Sequence, residues 1–496
     1  MSFASLGTDA ADDLIDRFAS ASRVSLIVGA GASMEASLPS WPALVERLLW
    51  RVAEEHDGLP DHDTKKAWVE RTLRLDDLLA AGAVVEVMAE DELETLLPDE
   101  LYGPGGAAAY EPGPIAHQVA YLSERFGERL SILTTNYDDL IERALVLRGV
   151  AKTNVKSYVR RRTRRPGTVP VTHLHGYAGR DAPAKKLVLT EEQYHRMQRG
   201  SSWQEEYVTE RLEESLCLFV GTSLTDPNLI RYLYGYGKSP AKRHAAIFVR
   251  QGDLEGVVDD VRSVREEAVV RRWERCGVEA IFVDHFADAA QLLYEIGLKR
   301  DAPGDYEPVA ERAAAALGRI GSSALRLGGD VGEFGARQVA LSQWLRETLY
   351  RTLESALGSA PPDDERLALT LWLLSKDGEE ITGWAHSDRA HQDPVTIEAV
   401  PIRPSSTWVS VRTVCQGVRV EHDRESDVSR WRFIRGLPLV LDQPTRLPIG
   451  CLTISSTKAG ADSVLTTMPP DAKAAFHRGL LDSIQPQLTR LAGPQP

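Results

Sequence analysis

Cysteine is scarce in this chain, and the four present (Cys217, Cys276, Cys415, Cys451) stand far apart with no Cys-x-x-Cys spacing. That scarcity argues against a disulfide-stapled scaffold and a zinc ribbon, and predicts reduced thiols in a cytoplasmic protein. No apolar run approaches the ~20 residues a helix needs to span a bilayer, so membrane insertion is not expected. The first residues, Met1-Ser2-Phe3-Ala4-Ser5-Leu6, lack the basic and apolar stretches of a secretory leader. Positive charge is in deficit, 58 Lys and Arg against 72 Asp and Glu, and the net charge of −14 disfavours nucleic acid as the main partner. Internal repeats and low-complexity tracts are missing too. What is present is an ordinary globular composition, 43% hydrophobic over 496 residues, enough for two to four domains of roughly 100–200 residues each.

Two halves differ in texture. Up to about residue 300, short apolar β-branched runs alternate with helical stretches, which predicts a Rossmann-like parallel sheet wrapped by helices, an α/β fold. The runs are Val24–Val28, Leu130–Thr134, Val169–Leu174, Leu216–Val220, Ala246–Val249 and Ala280–Val283, each apolar on both faces as covered strands are. A mostly helical insertion is expected between about 43 and 128, broken by a loop at Leu101-Tyr102-Gly103-Pro104-Gly105-Gly106. Residues 301–333 read as a linker with a short Ala-rich helix at about 307–318, so the domains are expected at 1–300 and 334–496. In the second, Leu341, Leu345, Leu349, Leu353 and Leu357 mark one helix face. Strands are expected at Leu367–Leu374, Ile381–Trp384, Trp408–Val414, Val418–Glu421, Arg432–Leu441 and Gly450–Ser455, with a hairpin turn at Asp377-Gly378. A closing helix over about 471–492 completes an α+β module.

Four strand exits carry chemistry-bearing residues. Gly29-Ala30-Gly31-Ala32-Ser33 follows the first strand, and its small residues suit either close approach to a pyrophosphate or a plain tight turn. It is neither a Walker A loop nor GxGxxG, because position 34 is Met. Thr134-Thr135-Asn136-Tyr137-Asp138-Asp139 lines a second strand end, where Asn136 and Asp138 are ligand-facing or cap the next helix. Val171-Thr172-His173-Leu174-His175-Gly176 offers a metal pair, a general base or hydrogen-bonded structural histidines, and no nearby Cys or Glu cluster completes a metal set. Phe219-Val220-Gly221-Thr222-Ser223-Leu224-Thr225-Asp226-Pro227-Asn228 is a fourth strand running into small hydroxyl residues, as a ribose contact or the cap of the helix that follows.

In this order and spacing the four motifs resemble the sirtuin signature. They are closer still to the bacterial sirtuin-like NAD-hydrolysing domain of antiphage effectors, of the Thoeris and defence-associated sirtuin type. Leu38-Pro39-Ser40-Trp41, Leu187-Val188-Leu189-Thr190-Glu191-Glu192-Gln193-Tyr194 and Ile281-Phe282-Val283-Asp284 extend the resemblance, which covers about residues 20–295. It implies that NAD is the substrate, with Gly29, Ala30, Gly31, Ala32 and Ser33 at its pyrophosphate. Asn136 is then at the nicotinamide ribose and the attacking water, with Thr135 beside it and Asp138 at the carboxamide. His175 is the catalytic base, and Gly221, Thr222 and Ser223 line the adenosine ribose. Trp41 is assigned the exclusion of solvent. Sirtuin deacylases carry a four-cysteine zinc module after the histidine, whereas residues 176–216 here hold no cysteine. They also carry Phe-Arg after the glycine loop, where this chain has Ser40-Trp41. Both departures favour plain NAD hydrolysis without a metal. Deacylation, ADP-ribosyl transfer and non-catalytic NAD binding are the alternatives.

The second half loosely resembles GAF-type sensor domains in its helix–meander–helix order and in Leu437-Pro438-Leu439-Val440 followed by Pro448-Ile449-Gly450-Cys451-Leu452-Thr453-Ile454. The resemblance implies a sensor or oligomerisation module, with a small-molecule or phage-derived activator as its partner and a homo-oligomer as the expected assembly. His386, His391 and Trp384, near a long loop, read as ordinary surface residues before they read as the lining of a pocket. The basic run Arg160-Arg161-Arg162-Thr163-Arg164-Arg165 reads as a solvated loop tip or an oligomer contact before it reads as a nucleic-acid site.

Overall fold

The computed structural model describes residues 6–36, 38–103, 110–179, 183–198, 202–236, 243–250, 258–308, 312, 314–315, 317–318, 331–403, 406–424, 429–440 and 448–492. The first half contains strands β1 (Val24–Val28), β2 (Leu130–Thr134), β3 (Val155–Tyr158), β4 (Val169–His173), β5 (Leu216–Val220), β6 (His244–Val249) and β7 (Val278–Val283). All pair in parallel, in the order β3-β4-β2-β1-β5-β6-β7. Every residue of β1 is buried. Leu26, Val28 and Ile132 pack with the helices Asp9–Ser20, Pro114–Phe126 and Phe286–Asp301 on one face. Ile27, Leu133 and Phe219 pack with Trp203–Glu214, Pro227–Tyr236 and Asp259–Glu274 on the other. Burial on both faces is why these strands read as continuous apolar runs rather than alternating ones. The seventh strand, β3, was not expected: Val-Lys-Ser-Tyr is an edge strand of half-buried residues without an apolar run.

The helical insertion is as expected. Helices Trp41–Glu55, His62–Leu75, Leu78–Ala89 and Leu93–Tyr102 form a separate core around Leu44, Leu48, Leu49 and Val85, which also takes in Tyr137 and Leu140. Of the loop expected at 101–106, Leu101 and Tyr102 end a helix, Gly103 caps it at φ +60, and residues 104–106 lie outside the described residues. In the short helix expected at about 307–318 the described residues 312, 314, 315, 317 and 318 are helical, while 309–311, 313, 316 and 319–330 of the expected linker lie outside the described residues.

The second half builds an antiparallel sheet from β8 (Leu367–Leu374), β9 (Glu380–His386), β10 (Ala399–Pro401), β11 (Val420–Asp423), β12 (Phe433–Val440) and β13 (Pro448–Ser456), ordered β10-β9-β8-β13-β12-β11. Helices Val331–Leu357 and Pro470–Ala492 meet through Leu345, Leu349, Leu353, Phe476, Leu480 and Ile484. The Asp377-Gly378 turn forms as expected, with Gly378 at φ +71. Trp408–Val414 does not form a strand. Val409–Gln416 is a helix that buries Val409, Val411, Thr413 and Val414 against the sheet and stops at Gly417 in the left-handed conformation. Its Val-Ser-Val-Arg-Thr-Val sequence has strand-like alternation, but tertiary packing over Gly436, whose missing side chain makes room for Thr413, overrides local propensity. His386 and His391 are buried rather than on the surface, their ring centroids 5.2 Å apart. Among the described residues no helix is long and apolar enough to cross a membrane.

The turns leaving β1 and β5 touch backbone to backbone. A Cβ on Gly29 would lie 2.6 Å from the Gly221 carbonyl oxygen, and one on Gly221, at φ +66, would lie 2.8 Å from the Ala32 nitrogen. Gly29→Ala and Gly221→Ala are therefore each expected to cost about 1–3 kcal/mol, visible as a lowered urea midpoint; Gly304→Ala, where a Cβ meets nothing within 4 Å, serves as the control.

Candidate functional site

From β1 the sheet grows one way through β2, β4 and β3, then the chain returns to add β5, β6 and β7 on the other side. The reversal falls between β1 and β5, and in open parallel sheets the crevice beyond the strand carboxyl ends at such a point is where ligands bind. The four motifs leave β1, β2, β4 and β5 on adjacent strands, with Val28 level with Thr134 and Val220, and Thr134 level with His173.

Asn136 is the centre of this region. Its backbone N–H donates to Thr134 Oγ1 (3.0 Å), and its Nδ2 donates to the Gly29 carbonyl (3.0 Å) and to Ser33 Oγ (2.7 Å). The carbonyl can only accept, so it identifies which amide atom is nitrogen. Asn136 Oδ1 is then a buried acceptor with no protein partner. Ser33 Oγ donates to Asp138 Oδ2 at 2.5 Å, and Asp138 Oδ1 accepts the Leu140 N–H at 3.1 Å. Burial raises the Asp138 carboxyl above its ordinary range despite those two hydrogen bonds. Both Asp138 oxygens are thus engaged inside the fold, as an internal tie and a helix-start bond.

The glycine turn contributes differently from expectation. The N–H groups of Gly29, Gly31, Ala32 and Ser33 already donate, to Val220, Gly221, Gly29 and Ala30 carbonyls respectively. These donors hold the turn against its neighbour strand, and the turn's outward offer is its small size. Thr135 N–H donates to the Val28 carbonyl, while Thr222 Oγ1 accepts from Leu224 and Ser223 Oγ bonds Thr225 Oγ1. Ser223 is exposed and Trp41 half-buried, packed on the insertion core.

The two histidines have separate surroundings. His173 is fully enclosed, with Nδ1 2.9 Å from the Asn136 carbonyl and Nε2 2.8 Å from Glu142 Oε1. A carbonyl and an ionised carboxylate both accept, so this setting favours a ring that donates from both nitrogens, the imidazolium. Burial pulls its pKa down, but the Glu142 charge, its hydrogen bond and the Asn136 carbonyl outweigh burial and raise it. His175 instead lies with Nε2 3.4 Å from Asp226 Oδ2 and its ring edge-on to Tyr194. Tyr194 donates to the same Asp226 oxygen at 2.7 Å, while Asp226 Oδ1 accepts from Leu229 at the start of the next helix. Gly176, at φ +104, admits Lys185 and Lys186 carbonyls 2.7 Å from where a Cβ would be.

Sequence reading singled out neither Asp226, Tyr194 nor Glu142. Their local signals were present: Asp226 precedes Pro227 as a helix start does, and Thr190-Glu191-Glu192-Gln193 is a capping box. In that box Gln193 N–H donates to Thr190 Oγ1 and Gln193 Oε1 accepts from Thr190, at the start of the helix that holds Tyr194. Among the described residues no cluster of three or more His, Cys, Asp or Glu is gathered as a metal site.

The fold and site define a doubly wound α/β protein with an Asn–Ser–Asp cluster and a His–Asp pair at its switch point. Residues 130–281 match the family model of the SIR2-like domain, to which this segment of the chain is similar. Among solved structures the chain is similar to a Sir2 homolog–NAD complex, at 14% identity over 59% of this chain and 94% of that one, TM-score 0.29. A Sir2 homologue mutant in complex with ADP ribose matches at 17% identity over 52% of this chain and 98% of that one, TM-score 0.27. A putative GAF sensor protein from Burkholderia vietnamiensis matches at 12% identity over 38% of this chain and 98% of that one, TM-score 0.21. Comparison with curated proteins finds no match.

The His173–Glu142 pair has a pH signature. A histidine whose pKa is raised on folding contributes stability that is complete below its unfolded value near ~6.5 and is lost as pH rises through the folded value. Glu142→Gln is expected to lower the urea midpoint more at pH 6 than at pH 9; an equal loss at both would show that the pair carries no charge.

Proposed function

We propose that the first half is an NAD+ glycohydrolase that cleaves NAD to nicotinamide and ADP-ribose, serving as an abortive-infection antiphage effector controlled by the second half. The observation that carries this reading is the buried, unpartnered Asn136 Oδ1, held by Gly29 and Ser33 at the switch point of a SIR2-like segment. An acceptor so placed suits a ribose hydroxyl or an attacking water.

The bond to be broken joins ribose C1′ to the nicotinamide nitrogen. Its electron pair leaves with nicotinamide, which departs neutral because that nitrogen is cationic in the substrate. The protein's task is to tolerate an oxocarbenium-like ribose and deliver water to C1′. Asn136 Oδ1 orients the water, and His175 receives its proton. With Nε2 turned to Asp226, Nδ1 is the basic atom, and the carboxylate 3.4 Å away stabilises the resulting cation. Tyr194, donating to that carboxylate, sets its direction. His173 is unsuited to the same role because both its nitrogens are occupied. Trp41, on the insertion, is assigned the screening of solvent.

Control by the second half is supported by a chain of contacts. Cys415 Sγ lies 3.9 Å from His285 Nε2, and Gly417 lies against Ala287 and Pro114. Pro114 begins the helix whose Ile115 N–H donates at 2.8 Å to Glu35 Oε2, on the turn after the glycine motif. A ligand on the second half that prefers one arrangement of this contact shifts the glycine turn by the same coupling energy. In this reading NAD is the substrate, the residues from 334 onward are GAF-like, and a small-molecule or phage-derived activator and a homo-oligomeric assembly complete the system.

The test is to incubate the full chain with NAD and resolve the products. Nicotinamide and ADP-ribose in equal amounts without an acyl peptide are expected, with Asn136→Ala and His175→Ala each losing at least ~10²-fold in turnover while the fold stays intact. Asp226→Asn is expected to lose less and to shift the pH–rate profile. Full activity in either alanine variant, or turnover only with an acyl-lysine peptide, would overturn the assignment.

A further inference from the structure

At the opposite end of the parallel sheet, where β1, β2 and β4 begin and β5 is entered, lies a second concavity of about 650 Å³. It is lined by Arg23, Arg129, Arg161, Arg162, Arg164 and Arg211. In a chain of net charge −14 this is a concentration of the opposite sign. Three glutamates share the wall, and two are already neutralised. Glu210 is held by Arg161 at 2.5 Å and by Arg211, and Glu214 by Arg211 at 3.0 Å and Arg23 at 3.2 Å. Glu128 is the third. Among the described residues Arg129, Arg162 and Arg164 have no carboxylate partner, so the cavity retains uncompensated guanidinium groups.

The arginine run is therefore not simply a solvated tip. Its loop reaches over the strand starts, where Arg164 donates to the Gly127 carbonyl at 3.3 Å while its buried Nε has no acceptor. Arg211, which lies over the Tyr207 ring 5.2 Å from its centre, reaches Ser131 Oγ at 3.4 Å, beside the Leu130 carbonyl that Arg164 approaches at 3.5 Å. These two guanidinium groups, with Arg129 and Arg162, gather around one concave space, and such groups are the donors an anion requires.

We propose that this cavity is a binding site for a small phosphate-bearing molecule with two or more phosphates, distinct from the crevice at the other end of the strands. Guanidinium forks match phosphate oxygens two at a time, and the volume lies within the roughly 300–1,000 Å³ of small-molecule sites. The arginines converge on a concave space rather than form a stripe, which favours a compact polyphosphate over a nucleic-acid strand. Five residues of β1, at about 3.3 Å each, separate this site from the glycine turn, so occupancy here leaves the crevice open. The inference stands whether or not the crevice cleaves NAD.

Inorganic triphosphate is the probe, titrated calorimetrically into the full chain, with a single-stranded oligonucleotide as comparison. Wild type and Asn136→Ala are expected to bind one triphosphate with equal affinity, weakening with salt. The double variant Arg129→Glu/Arg162→Glu is expected to lose at least about tenfold, and Arg129→Lys/Arg162→Lys, which keeps the charge, to lose less. Thermal melts of both double variants verify folding. Absence of triphosphate binding to wild type, equal binding by the glutamate variant, loss of binding in Asn136→Ala, or stronger binding of the oligonucleotide would each overturn the proposal.

Discussion

The crevice depends on one contact: the turns after β1 and β5 touch without side chains between them. Gly29 N–H donates to the Val220 carbonyl at 3.0 Å and Gly31 N–H to the Gly221 carbonyl at 2.7 Å. This joins the two halves of the sheet at the reversal of strand order. It also presents the Gly29 carbonyl to Asn136 Nδ2, which fixes the amide and leaves Oδ1 without a protein partner. Ser33, one turn further on, completes the hold and extends it to Asp138. The small residues of the motif thus serve the protein's own packing first, and the open acceptor follows from that packing.

A second consequence is the separation of two histidines two residues apart. His173 is the last residue of β4 and meets Glu142, 31 residues away in sequence, while His175 lies past the strand and meets Asp226. One has both ring nitrogens engaged in a setting that favours its cation, and the other meets a carboxylate through Nε2. Paired environments that push like groups apart are how a site divides its acid–base roles. Here the division is made by which element each ring reaches.

How much of this was legible in sequence follows from where the information lies. Six strands of the parallel sheet announce themselves through apolar runs covered on both faces, and the motif residues fall at the strand ends that topology brings together. β3 was silent because a half-buried edge strand has no such run. Trp408–Val414 misled because its alternation of β-branched residues is a local property, whereas the helix is decided by the space over Gly436. Asn136 and His175 could be singled out, but Asp226, Glu142 and Tyr194 could not, since their roles arise from pairings across distant segments. Sequence alone also left open that the glycine-turn N–H groups are spent internally.

The central claim is that a dinucleotide occupies the crevice beyond β1 and β5 with its nicotinamide ribose at Asn136. A crystal structure of the His175→Ala chain with NAD bound tests it most directly. The account predicts a ribose hydroxyl or an ordered water within hydrogen-bond distance of Asn136 Oδ1, and the pyrophosphate beside Gly29–Ser33. NAD seated elsewhere, or an Asn136 amide turned away from Gly29 to another protein partner, would contradict it.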